Sequence, residues 1–132
     1  MKFIRLNLLS VLGLYILSAG LLHAAENNDD TILPLPAVLE GKEMRITTIV
    51  LAPGQESSPH RHNAHVYVYV IEGQVEMQVR GGPLMLLGPG EMFQEVPTDI
   101  HQVSRNPSST KSATIVVHML KSVGVPVTVP AD

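Results

Sequence analysis

The sequence contains no cysteine and no tryptophan, and only 4 % of it is aromatic. Without cysteine, thiolate metal sites, cysteine nucleophiles and lipoprotein acylation are excluded. Redox compartment stays open, because a disulfide-free protein can live anywhere. Basic residues are few and scattered. Nine Lys and Arg against twelve Asp and Glu leave a formal charge of −3, which argues against a nucleic-acid surface. No window holds apolar residues at helical spacing for long enough to build a globular helix. A phosphate-binding loop, a serine-triad motif and an acidic metal cluster are all absent, as are internal repeats and low-complexity tracts. What remains is a chain of 132 residues, 45 % hydrophobic and 16 % charged. That composition fits one folded domain and not a disordered chain.

The N-terminus has the pattern of an export signal. Lys2 and Arg5 give a positive start, Leu8 to Leu22 an apolar core, and "LHAAE" small residues for cleavage after Ala24 or Ala25. Ser10, Gly13, Ser18 and Gly20 interrupt the stretch, and it is short for a bilayer span of about 20 apolar residues. Residues 1–24 are therefore expected to be a signal peptide. Its removal with Lys2 and Arg5 takes the formal charge from −3 to −5. The mature protein, periplasmic or secreted, then has no membrane segment. Residues 25–43 read as a flexible, proline-punctuated arm leading into an edge strand.

From Met44 the chain becomes a succession of short β-like runs. "MRITTIVL", "HVYVYVIE", "QVEMQVR", "LMLL", "EMFQEV", "IHQVSR" and "SATIVVHML" are each bounded by Gly, Pro or Asn. Such runs at near-even spacing predict an all-β antiparallel sandwich or barrel over residues 44–132, with six to eight strands. Val66, Val68, Val70, Met77 and Met92 are the expected apolar interior. An exposed edge near the arm invites pairing with a second copy, so a homodimer is expected.

The chemistry-bearing residues lie between positions 60 and 101. His60 and His62 are two apart, so on an extended strand they face the same side. Two imidazoles on one face can meet one ion, which suits iron, zinc, nickel or copper. His101, opening another strand-like run, is the candidate third ligand. His118 is assigned to core or surface, and Tyr67 and Tyr69 to packing between sheets or to an interface.

With these motifs in place the chain resembles the cupin superfamily, specifically its small single-domain, quercetin-dioxygenase-like members. Gly54, "QESSP", His60-Arg61-His62 and later Gly73 match the first motif in register. Gly90 and His101 have the glycine-to-histidine separation of the second. Pro97 and Asn106 each sit one place late, and Asp99 stands where a second glycine is usual. "YVIEG" and "LGPGE" are also similar to cupin phrasing. The resemblance covers about residues 44–121. It implies a jelly-roll barrel with a divalent metal inside, Fe(II) first and zinc, nickel, copper or manganese as alternatives.

One ligand of the family pattern is missing. The position of the motif-one glutamate is Val66, which cannot ligate. Two versions of the site follow. In one, His60, His62 and His101 form a neutral three-histidine face that leaves the ion its full charge, favouring anionic or chelating substrates. In the other, a bulge after Asn63-Ala64 turns His65 inward as a fourth ligand. Val66, Val68 and a barrel-facing Gln94 are the expected substrate pocket, with either Gln94 or Glu95 pointing in. Two functions stand open: a dioxygenase-like oxidoreductase acting on a small organic molecule, and a non-catalytic metal- or small-molecule-binding cupin with a degenerate site.

Overall fold

The computed structural model describes residues 30–131. The expected signal peptide, residues 25–29 of the arm and Asp132 lie outside the described residues. Ten strands follow in order: β1 (Thr31–Leu33), β2 (Lys42–Leu51), β3 (His60–His62), β4 (Ala64–Glu72), β5 (Val75–Val79), β6 (Met85–Leu87), β7 (Met92–Glu95), β8 (His101–Arg105), β9 (Ala113–Ser122) and β10 (Thr128–Pro130). One 3-10 turn, Ala37–Leu39, precedes β2. No helix among the described residues is long and apolar enough to cross a membrane.

The strands form two five-stranded antiparallel sheets, β1-β2-β9-β4-β7 and β10-β3-β8-β5-β6. This is the all-β jelly-roll barrel that the motifs imply. It has ten strands where six to eight were expected. β1, β3 and β10 are three residues each, too short for an alternating pattern to show, and β10 contains Pro130, which a sheet edge tolerates.

Alternation decides which residues fill the barrel. On β4, Ala64, Val66, Val68 and Val70 are buried, while His65 and Tyr69 are exposed. On β9 the buried set is Ala113, Ile115, Val117, Met119 and Lys121. Val75, Met77 and Leu87 close the core from the other sheet. Each valine, isoleucine, leucine or methionine among these contributes roughly 1.5–3 kcal/mol by leaving water. Met92 corrects the expected interior: it is more than half exposed, and its neighbour Phe93 is buried. The register explains this. Phe93 pairs with inward Val68 and Met92 with outward Tyr69, and cross-strand partners share a face.

Two loops are fixed by single residues. Gly73, between β4 and β5, has φ 75°, and a Cβ there would lie 2.6 Å from the Ser112 carbonyl oxygen. No side chain fits that approach. Asn106 is 1 % exposed. Its amide nitrogen donates to the carbonyls of Leu51, Ala52 and Lys111 at 2.8–3.1 Å, and its oxygen accepts from the Ser108 amide at 3.0 Å. It ties the end of β2 to the connection between β8 and β9.

Candidate metal centre

His60 and His62 stand on β3, and His101 opens β8. His60 and His101 are direct cross-strand partners. Extended backbone from 60 to 62 turns both motif-one histidines to the same side, and antiparallel pairing brings His101 up beside them. One nitrogen from each ring lies within 4.8 Å of the other two. His62 and His101 are 9 % and 4 % exposed.

The surrounding groups fix the tautomers. His60 Nδ1 is 2.7 Å from the Ser58 carbonyl oxygen. His62 Nδ1 is 3.3 Å from the Val127 carbonyl oxygen and 3.2 Å from Thr128 Oγ1. A carbonyl only accepts, so each Nδ1 carries the hydrogen and each Nε2 the lone pair. Those two Nε2 atoms are 3.1 Å apart. Two lone pairs facing at that distance repel unless a cation lies between them. Two imidazoles about 2.1 Å from one ion, at about 90–110°, place their nitrogens roughly 3.0–3.4 Å apart. The residues present therefore fit a divalent metal. Burial, the largest influence, holds His62 below the ordinary histidine range; Glu95 opposes this and His60 adds to it. A ring kept neutral is one ready to ligate.

Val66 is buried and lines the cavity beside the histidines. Its cross-strand partner on β7 is Glu95, which is 2 % exposed. Glu95 Oε1 lies 3.0 Å from His101 Nδ1. That separation suits a hydrogen bond, but the groups are not aligned for one, and both Glu95 oxygens and both His101 nitrogens lack hydrogen-bond partners. A small turn of the ring would close Nδ1–H to the carboxylate and leave the Nε2 lone pair for a metal. A carboxylate behind a metal-binding histidine orients the ring and raises its basicity. Thus the carboxylate absent from β4 reappears on the neighbouring strand, behind a ligand. Phe93 stacks on His101 from the same strand, with centroids 5.3 Å apart.

The remaining expected site residues divide. Val66 and Val68 line a cavity of about 600 Å³ shared with the three histidines, Met119 and Glu95. Gln94 is corrected: it is exposed and pairs with outward-facing Tyr67, so Glu95 is the member of that pair that points in. The inward His65 is corrected too. Residues 64 to 70 alternate without a bulge, and His65 is exposed. His118 faces outward, lining a shallow groove with Met44, Tyr67, Tyr69 and Met92. Pairing of "EMFQEV" with "HVYVYV" is the signal that singles out Glu95, once inward Val66 and Val68 set the parity.

Comparisons with known proteins agree with the fold. No curated protein matches the sequence. Among solved structures, the DMSP lyase DddQ from Ruegeria pomeroyi is similar at TM-score 0.56 and 18 % identity, covering 69 % of this chain and 43 % of that one. The chain thus spans less than half the length of that lyase. A protein with a double-stranded β-helix domain from Klebsiella pneumoniae gives TM-score 0.58 and 18 % identity, covering 83 % of this chain and 87 % of that one. An RmlC-like cupin from Shewanella frigidimarina gives TM-score 0.53 and 18 % identity, covering 73 % and 87 %. At these identities the likeness is one of fold. The family model described as "Cupin domain" matches residues 47–119. Because that match takes in more than half of the chain, including the strands that carry all three clustered histidines, the protein belongs to the cupin domain family.

Proposed function

We propose that the protein is an exported, metal-dependent cupin that acts as a dioxygenase-like oxidoreductase on a small organic molecule. The observation that supports this most is the convergence of His60, His62 and His101, two of them with Nδ1 committed to backbone carbonyls. The three imidazoles would hold Fe(II) or another divalent ion, which when bound supplies Lewis acidity or redox chemistry at an open coordination position. The chain's own groups do the rest. Glu95, 3.0 Å from His101 Nδ1, would hold His101 in the ligating tautomer once a small turn of the ring closes that bond. Val66, Val68, Val117 and Met119 form an apolar wall that excludes water from the bound molecule. Phe93 packs flat on His101 and limits its motion.

The second reading, a binding barrel without chemistry, is favoured by that same wall, which carries no proton donor. A homodimer pairing through β1, an edge strand of its sheet, goes with either reading. The deciding experiment is elemental analysis of untagged exported protein followed by an oxygen-uptake screen with small organic acids and phenols. Stoichiometric metal and substrate-dependent uptake are expected. His62→Ala and His101→Ala should each lose most of the metal, while His65→Ala and His118→Ala keep it. Metal without uptake for any substrate would leave the binding barrel. N-terminal sequencing of the exported protein should begin at Ala25 or Glu26.

A further inference from the structure

The wall opposite the histidines carries a second polar feature. Arg45 and Thr47 stand two apart on β2, facing inward, and both line the cavity that holds His60, His62 and His101. Thr47 is 5 % exposed. The two residues grip one carboxylate, that of Asp30: Thr47 Oγ1 donates to Oδ1 at 2.5 Å, and the Arg45 guanidinium pairs with Oδ2. Asp30 comes from the arm, immediately before β1. No other group bonds its side chain among the described residues.

Arg45 belongs to a row that crosses the inner face of the sheet. Its β9 partner is Met119, whose β4 partner is Val66, whose β7 partner is Glu95. Strands lie about 4.8 Å apart, so the backbones of Arg45 and Val66 are roughly 10 Å apart. The cavity therefore offers a cationic fork at one end, an apolar floor of Met119 and Val66, and the histidine cluster across from that floor. An anionic head, a short apolar chain and a metal-seeking end would match those parts in order.

We propose that Arg45 and Thr47 form the anion subsite of this cavity, that it takes the carboxylate of a small substrate, and that Asp30 fills it in the free protein as an internal competitor. This rests on the metal-centre reading for the far end of the ligand only. The grip itself needs no metal. A guanidinium and a hydroxyl on adjacent inward positions present donors to both oxygens of one carboxylate, the geometry Asp30 already uses. Among the described residues the Asp30 side chain is held by these two bonds alone, while the residues after it are anchored by the β1–β2 ladder, so a diffusing carboxylate competes with the side chain directly. Substrate entry would then free the Asp30 side chain and loosen the end of the β1–β2 pairing next to it.

Calorimetric titration tests this on the full mature protein, with glutarate as the probe and uncharged glutaramide as its control. Wild type, Asp30→Ala, and Asp30→Ala combined with Arg45→Gln or Arg45→Lys are each measured metal-free and zinc-loaded. Asp30→Ala should bind glutarate about tenfold or more tighter than wild type, the scale of hydrogen bonds to a charged group. Adding Arg45→Gln should remove that gain and Arg45→Lys should keep part of it. Glutaramide should stay weak throughout. The Arg45-dependent gain should persist without zinc, so failure of the metal centre leaves this result standing. Equal glutarate affinity in wild type and Asp30→Ala, or no loss with Arg45→Gln, would overturn the proposal. Should Arg45→Gln not fold, wild type alone decides. Amide resonances of Thr31, Ile32 and Leu33 should move as glutarate binds, and their staying fixed at saturation overturns it equally.

Discussion

Replacing Glu95 by glutamine should weaken metal binding and strengthen the metal-free fold, two effects of opposite sign from one substitution. Glutamine keeps the volume beside Val66 and Phe93, and its amide oxygen can still accept from His101, so packing is preserved. With metal bound, loss of the carboxylate behind His101 should cost 10–100-fold in affinity, about 1.4–2.8 kcal/mol. Without metal, the same change removes a carboxylate whose two oxygens are buried and unpaired. A buried group without partners costs about 1–3 kcal/mol, more when it is a carboxylate than when it is an amide, so glutamine should recover part of that cost. Recovering even 1 kcal/mol would raise the melting temperature of a domain this size by about 4–8 °C. The assay is competition against a chelating dye, joined to thermal unfolding with and without zinc. At a thousandfold excess over Kd, zinc should stabilise wild type by about 4.1 kcal/mol. At the same zinc concentration the variant should gain only about 1.4–2.7 kcal/mol. Unchanged affinity together with a less stable metal-free protein would make Glu95 a structural strut and refute the reasoning.

Other outcomes follow from the same geometry. Val66→Glu, which would restore the family's ligand position, sets a second carboxylate directly across from Glu95, Cβ to Cβ about 4.5–5.5 Å. It should destabilise the metal-free protein by roughly 3–5 kcal/mol, and adding Glu95→Gln should recover much of this in urea unfolding. Asn106→Ala strips the side-chain donor from three carbonyls and should cost about 3 kcal/mol with an unchanged denaturant slope. The hydrogen bond from Thr47, with help from Arg45, holds the Asp30 carboxyl below its ordinary value of 3.8. Stabilisation from a lowered carboxyl is present above the ordinary value and lost as pH falls through the lowered one. The Asp30 grip should thus hold at about pH 5 and be lost only as pH falls below the ordinary 3.8, read as faster hydrogen exchange at Thr31–Leu33.

The fold was legible because β-branched runs alternate cleanly and Gly, Pro and Asn cut them. β4 and β9 need nothing beyond period two to place their buried faces. The three histidines were legible because two share a strand face and the third sits at a motif position. Three points were not. Glu95 and Gln94 are adjacent, and only pairing of β7 with β4 tells which one points inward. Asp30, Arg45 and Thr47 come together through pairing of the arm with β2, which no local pattern announces. The carbonyls that set the histidine tautomers belong to Ser58 and Val127, and a backbone acceptor leaves no trace in residue identity.

The Val127 carbonyl has a kinetic consequence. It fixes the His62 ring from 65 positions downstream, on the approach to β10, the strand that pairs with β3. Closing a loop of that length is slow compared with forming a local hairpin. A chain emerging from a ribosome shows His60 and His62 long before residue 127 arrives, and until then neither proton position nor ring orientation of His62 is set. Metal capture should therefore be a late event in folding, one that reports the wound barrel and not its parts. In refolding followed by stopped flow, metal binding should lag the burial of the β2–β9–β4 core, and the lag should lengthen when β10 is weakened by a substitution at Val129.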